Sequence, residues 1–171
     1  GLVPSPKWKE ETKNEKWFLG NTYHFSIGQG DLAVSPVGEN RMITAIANSG
    51  KLCDPRIFGK GECLDLKIST EDISDVKKGM VMACSEGGTA FSFFPVNKGA
   101  DDKNNVACKT GTAEPTDGKN PHAWFVMFVP SQNPEMVATI LVENGGEGSR
   151  VAGPIAKSIY DYWTQYHKND R

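Results

Sequence analysis

A lysine and two threonines set around a glycine, Lys109-Thr-Gly-Thr112, form the stretch of this sequence best equipped for chemistry. The lysine ammonium supplies positive charge, and each threonine hydroxyl supplies a directed donor. Together they suit a carboxylate, because charge-assisted hydrogen bonds are shorter and stronger than neutral ones. The glycine falls inside a strand-like run. A missing side chain there often marks a close approach by a ligand or by another backbone. Taken alone the triplet is weak, since any threonine-rich, solvated edge strand can contain one.

Two glycine-bearing stretches offer competing chemistry. Gly28-Gln-Gly30-Asp-Leu-Ala33 fits the loose dinucleotide pattern G-x-G-x-x-A. That pattern needs a preceding strand, a helix starting at once and a βαβ unit around it. Here Pro36 interrupts the helix and the later strands come as a hairpin, so a structural turn is the reading. Asn144-Gly-Gly-Glu-Gly-Ser149 lacks the Lys-Ser/Thr ending of a phosphate loop and reads as a flexible strand-to-helix turn. Cys53, Cys63, Cys84 and Cys108 show no C-x-x-C spacing, and His24, His122 and His167 lie far apart. No structural zinc site is expected. Cys53 and Cys63 bracket a Pro/Gly-rich excursion, residues 54–62, that a disulfide could close. Free buried thiols are nevertheless favoured, because pairing cannot be deduced from sequence.

The elements that must position these residues follow from patterning. The chain has 171 residues and 18.7 kDa, one domain or a large part of one. Its 19 basic and 21 acidic residues leave a charge of −2, so it offers no basic stripe for nucleic acid. The longest apolar runs, 123–129 and 136–142, span seven residues each, against about 20 for a membrane helix. The opening Gly1-Leu-Val-Pro-Ser-Pro6 has neither the basic start nor the apolar core of a signal peptide.

Residues 1–24 read as an irregular wrapping segment anchored by Trp8, Trp17 and Phe18. Residues 31–48 suggest a helix broken near Pro36 and closed by Gly50. Residues 51–69 suggest a hairpin about Gly59-Lys-Gly61. A helix over 71–85 is capped by Ser69 or Thr70, with Ile73, Val76, Met80, Val81 and Cys84 on one face. A polar loop from Pro95 to Asn105 leads to strands at 106–114, 123–129 and 136–143, the last two joined by Pro130-Ser-Gln-Asn-Pro134. Both are apolar on each face, so the sheet should be covered on both sides. A final helix over 151–166 carries Ala152, Ile155, Ala156, Ile159 and Trp163 as its core stripe, with Pro154 tolerated in the first turn. The fold class is α+β, an antiparallel sheet flanked by helices.

These pieces, in this order, resemble the C-terminal half of a class B penicillin-binding protein transpeptidase domain. The matching stretches are Gly1-Leu-Val-Pro-Ser-Pro-Lys-Trp-Lys9, Ser26-Ile-Gly-Gln-Gly30 with Ser35-Pro36, Ala47-Asn-Ser-Gly50 and Gly87-Gly-Thr89. They continue with Lys109-Thr-Gly-Thr-Ala-Glu114, His122-Ala-Trp-Phe125 and Glu143-Asn-Gly-Gly-Glu-Gly-Ser149. The likeness reverses the bland reading of the triplet. It implies an incomplete transpeptidase fold of the serine β-lactamase kind and a serine acyltransferase that cross-links peptidoglycan. Such an enzyme binds D-Ala-D-Ala stem peptides and β-lactams, and needs no metal or organic cofactor. By resemblance Lys109 supplies positive potential, Thr110 and Thr112 hold the substrate carboxylate beside Gly111, and the Thr112 N–H is one oxyanion donor.

The family's cleft also needs S-x-x-K and S-x-N, which should precede K-T-G. Ser74-Asp-Val-Lys77 and Ser131-Gln-Asn133 spell these patterns, but K-T-G lies between them. A nucleophile, its lysine and the oxyanion donors must share one site. The expectation is therefore that the true serine lies N-terminal to Gly1, and that this chain alone is inactive. A membrane-anchored parent on the extracytoplasmic side of the envelope is implied. So is an apolar edge at 136–143, open to the missing N-terminal half or to a second copy in a homodimer. The alternative is a non-catalytic, transpeptidase-like sensor or assembly module. A nucleotide-dependent oxidoreductase would require bound nucleotide, and none is expected.

Overall fold

The computed structural model describes residues 1–97, 104–115 and 117–167. The expected loop from Pro95 to Asn105 falls largely outside them. Five α-helices and five strands follow one another along the described chain: α1 (Pro6–Lys13), α2 (Leu19–Ser26), α3 (Pro36–Ala47), β1 (Lys51–Cys53), β2 (Cys63–Asp65), α4 (Thr70–Ala83), β3 (Ala107–Ala113), β4 (His122–Val129), β5 (Met136–Val142) and α5 (Ala152–His167). β1 and β2 form a small hairpin with Cys53 opposite Cys63. The main sheet is antiparallel in the order β3-β4-β5, with Lys109 opposite Val126 and Phe125 opposite Ile140.

Capping explains why the first 48 residues are more ordered than their polarity suggests. Ser5 accepts from the Trp8 N–H at 3.1 Å, Pro6 opens α1, and Asn14 ends it with φ 54°. The Asn21 side chain accepts from the Phe18 N–H at 2.9 Å and starts α2. The irregular segment expected over 1–24 is thus two short capped helices. Ser35 accepts from the Gly38 N–H, and Pro36 stands at the first helical position. Pro36 therefore begins α3 rather than interrupting it, because the N–H it lacks has no intrahelical partner at that position. Ser69, not Thr70, caps α4, accepting from the Asp72 N–H at 3.0 Å.

The core follows the period-2 alternation of β4. Ala123, Phe125, Met127 and Val129 are buried with Phe93, Ala152 and Ala156 on one face. Val126 and Phe128 are buried with Ile43, Ala47, Met80 and Val81 on the other. Helices cover both faces, as the doubly apolar strands required.

The stripe on α5 is rotated from the expected one. Ala152 and Ala156 are buried and Trp163 packs against the core, but Ile155 and Ile159 are 44% and 40% exposed. Gly153 lets the helix approach the Phe125 ring, where a Cβ would already be in contact at 3.6 Å, and Tyr160 meets Phe93 edge-on at 5.8 Å. On α4, Val76 is likewise exposed while the rest of its expected face is buried.

The favoured free thiols are overturned. Cys53 pairs with Cys63 across the hairpin, and Cys84 at the end of α4 pairs with Cys108 on β3. Helix packing brings the second pair together, which no spacing in sequence reveals. That bridge ties the strand carrying Lys109 to the helix beneath it. Replacing both Cys84 and Cys108 by Ala is expected to remove about 3 kcal/mol of stability, the loop-closure term for a loop of this size. Denaturant unfolding of the oxidised protein and the double variant measures it. A difference below about 1 kcal/mol would show that the bridge adds little to packing already in place.

Candidate functional site at the edge of the main sheet

β3 is an edge strand, and its outer side carries Lys109-Thr-Gly-Thr112. Thr110 and Thr112 turn their carbonyls to the open edge. The Lys109 Nζ donates to the Thr110 carbonyl at 2.6 Å, and the Gln29 Nε2 donates to the Thr112 carbonyl at 2.9 Å. The Thr110 hydroxyl donates to the Thr89 hydroxyl at 3.0 Å. The Gly148 N–H donates to the Thr112 hydroxyl at 3.4 Å. Lys109 and Thr112 are exposed, and Thr110 and Gly111 are half-buried. All four expected site residues thus lie on one strand, with both hydroxyls engaged by other segments.

Glycines make this convergence possible. A Cβ at Gly111 would come within 3.0 Å of the Trp124 Cβ. Gly148 is buried, and a Cβ there would collide with the Gly111 and Trp124 carbonyl oxygens. The Gly-rich turn after β5 therefore lies directly on the K-T-G strand. It is a packing element with a donor aimed at Thr112, not only the flexible connection expected.

Beside Lys109 opens a cavity of about 630 Å³. Its walls include Val76, Met82 and Ala83 of α4, Ser85, Glu86, the Gly87-Gly88 turn and Thr89. Lys109 and Thr89 thus share the cavity lining with Ser85, Glu86 and the apolar residues of α4. This arrangement can orient an anion, and Thr110 and Thr112 add two more hydroxyls to the same strand edge.

The two decoys are placed elsewhere. Ser74 is exposed on α4. Lys77 is turned from it to the end of α3, where its Nζ donates to the Ala47 carbonyl at 2.9 Å and lies 5.8 Å from the Phe128 ring centroid. Burial there holds the Lys77 ammonium below the usual lysine range. Ser131 is buried in the β4–β5 turn, its N–H donating to the Asn105 carbonyl, at the opposite end of β4 from Ala123, which faces Thr112. Among the described residues no hydrogen bond joins a serine hydroxyl to a lysine or histidine nitrogen. No group of three or more His, Cys, Asp or Glu side chains is arranged to hold a metal among them either.

Sequence reasoning assigned no role to Gln29, Thr89 or Gly148. Each lies in a stretch that matched the resemblance. Gly28 and Gly30, both at φ 77°, were the signal at Gln29: glycines at positive φ on either side hold a tight turn that presents one side chain.

An antiparallel sheet with helices on both faces, and K-T-G-T on its edge, is the arrangement that the resemblance to a transpeptidase domain implies. The family model of the penicillin-binding protein transpeptidase domain matches residues 5–161, and the chain belongs to that family. It is 29% identical, over 94% of its length, to peptidoglycan D,D-transpeptidase MrdA of Haemophilus influenzae, of which it spans 28%. The penicillin-binding protein PBP2 of Helicobacter pylori, solved in complex with MreC, superposes with a TM-score of 0.79 at 32% identity. That likeness covers 96% of this chain and 31% of the other. Penicillin-binding protein A of Mycobacterium tuberculosis, solved as an imipenem acyl-enzyme, superposes at 0.64 with 28% identity, covering 81% and 32%. The chain therefore spans under a third of the length of each.

Proposed function

We propose that this chain is the C-terminal, carboxylate-binding part of a peptidoglycan D,D-transpeptidase. The observation that carries the reading is the edge strand itself. It presents Lys109, two threonine hydroxyls and outward backbone groups beside an open cavity. In this role the terminal carboxylate of a D-Ala-D-Ala peptide, or of a β-lactam, pairs with Lys109 and the hydroxyls of Thr110 and Thr112. The Thr112 N–H donates to the oxygen of the carbonyl under attack. A serine outside this chain adds to that carbonyl carbon, the C–N bond breaks, and D-Ala leaves with a proton on its amine. A second peptide's amine then attacks the ester, releasing the serine and forming the cross-link.

The remaining partners follow from the same reading. The outer edge of β5 has no strand beside it among the described residues. A strand of the N-terminal half, or a second copy, completes it. Two disulfides fit a protein working outside the cytoplasmic membrane, where thiols stay oxidised. No described helix is long and apolar enough to cross a membrane.

Labelling the longer polypeptide with benzylpenicillin tests the reading. One covalent adduct per chain is expected, on a serine N-terminal to Gly1 that opens an S-x-x-K. An intact longer protein that takes up no label would favour the non-catalytic sensor or assembly module.

A further inference from the structure

We infer that Gln29 is a positioning residue: its side-chain amide locks the free edge of β3 and holds Thr112 in its donor orientation. The inference rests on the transpeptidase reading above. The Gln29 Nε2 donates to the Thr112 carbonyl at 2.9 Å, and its Oε1 accepts from the Glu114 N–H at 3.4 Å. A carbonyl and the N–H two residues later, on one edge, are the groups that a single residue of an added strand engages. One side chain thus stands in for a strand residue at the end of the K-T-G-T segment.

The support beneath Gln29 is fixed from several directions. Its own N–H donates to the His24 carbonyl at 2.9 Å, and Gly28 and Gly30 hold the turn at positive φ. Beyond it, Leu2 and Ala33 exchange both backbone hydrogen bonds, and Lys13 pairs with Asp31 at 2.5 Å. The lock is needed where it acts. Gly111, which precedes Thr112, adds no Cβ to stiffen the backbone there, so the strand relies on its pairing with Trp124 and on contacts at its free edge. β4 supports that strand from one side only. Without Gln29, no hydrogen bond described on the outer edge restrains the Thr112 carbonyl, and the end of the strand on which the Thr112 N–H stands is held by β4 alone.

The carbonyl keeps a second lone pair, so the clamp does not bar a ligand from the edge. Its effect falls on geometry. Oxyanion donors act through placement, and small displacements of reacting groups are known to cost large factors in rate.

The experiment uses the longer polypeptide that contains this chain, with Gln29→Ala and the isosteric Gln29→Glu. The carboxylate can still accept from the Glu114 N–H but cannot donate to the Thr112 carbonyl. Both variants are expected to lower the benzylpenicillin acylation rate constant about tenfold, with the dissociation constant of the initial complex unchanged. Deacylation should slow in parallel, because both steps pass through the same oxyanion. The acyl-enzyme ester carbonyl stretch, read by isotope-edited infrared spectroscopy, should move to higher wavenumber as its hydrogen bonds weaken. Wild-type rates in both variants, or losses matched by the loss of folded protein, would overturn the inference and leave the transpeptidase reading intact. Faster acylation in Gln29→Ala would overturn it too, by making Gln29 a competitor for the edge. A wild-type protein that never acylates would remove the transpeptidase reading, and this inference with it.

Discussion

Incubated alone with excess benzylpenicillin, the 171-residue chain is expected to keep its unmodified mass. An acyl-enzyme needs a nucleophile beside a base, and an alcohol without one is a poor nucleophile near neutral pH. Lys109, Thr110 and Thr112 offer a cation, two hydroxyls and one backbone donor. The Thr110 hydroxyl is bonded to another hydroxyl, that of Thr89, and the Thr112 hydroxyl accepts from the Gly148 N–H. Neither bond removes a proton. Ser74 sits on the exposed side of α4, and Lys77, which its spacing would recruit, is committed to the Ala47 carbonyl. Intact-mass spectrometry decides, with the longer polypeptide as positive control. An adduct mapping to Ser74 would make this chain a compact enzyme and end the reading of Lys77 as a cap for α3. An adduct only on the longer protein supports division of the active site between two parts of one polypeptide.

The sequence made the strands and the site triplet legible because both depend on local signals. The strands over 122–129 and 136–142 announce themselves by apolar runs, and in the strand over 107–113 Gly111 marks a close approach by its lack of a side chain. Cap chemistry is equally local at Ser69, Ser5 and Ser35, but polarity masks the helix after Ser5 and Pro36 reads as a break where it is the first helical residue. The rest depended on contacts distant in sequence. The Cys84–Cys108 bridge forms because α4 packs under β3. On α5, two stripes share the helical period, and packing buries Ala156 while leaving Ile155 exposed. Gln29 is the plainest case. Its partners, Thr112 and Glu114, lie more than 80 residues away, at separations of 83 and 85. No periodicity links them: the two glycines mark a turn at 28–30, but nothing local says which strand its side chain meets.

Replacing Lys109 by Ala is expected to lower the efficiency of β-lactam acylation in the longer protein by roughly 10- to 100-fold, while leaving the fold intact. A hydrogen bond to a charged group contributes about 1.5–3 kcal/mol, and each 1.36 kcal/mol is a factor of about ten in rate. The loss should stay below that of the nucleophile, because Thr110 and Thr112 still offer their hydroxyls to the carboxylate. Stability should change by less than about 0.5 kcal/mol. Lys109 is exposed, and its one hydrogen bond among those described, to the Thr110 carbonyl, joins neighbouring residues on an edge open to water. Lys109→Arg separates charge from shape. A guanidinium keeps the positive potential but presents a planar fork where a compact ammonium lined the cavity. Arginine should therefore recover part of the rate, more at low ionic strength than at high, as screening weakens long-range attraction first. Stopped-flow acylation with a chromogenic cephalosporin, alongside thermal unfolding of each variant, reads both quantities. Equal rates in wild type and Lys109→Ala, with matching melting curves, would remove Lys109 from the carboxylate site and leave the two threonine hydroxyls to bind it alone.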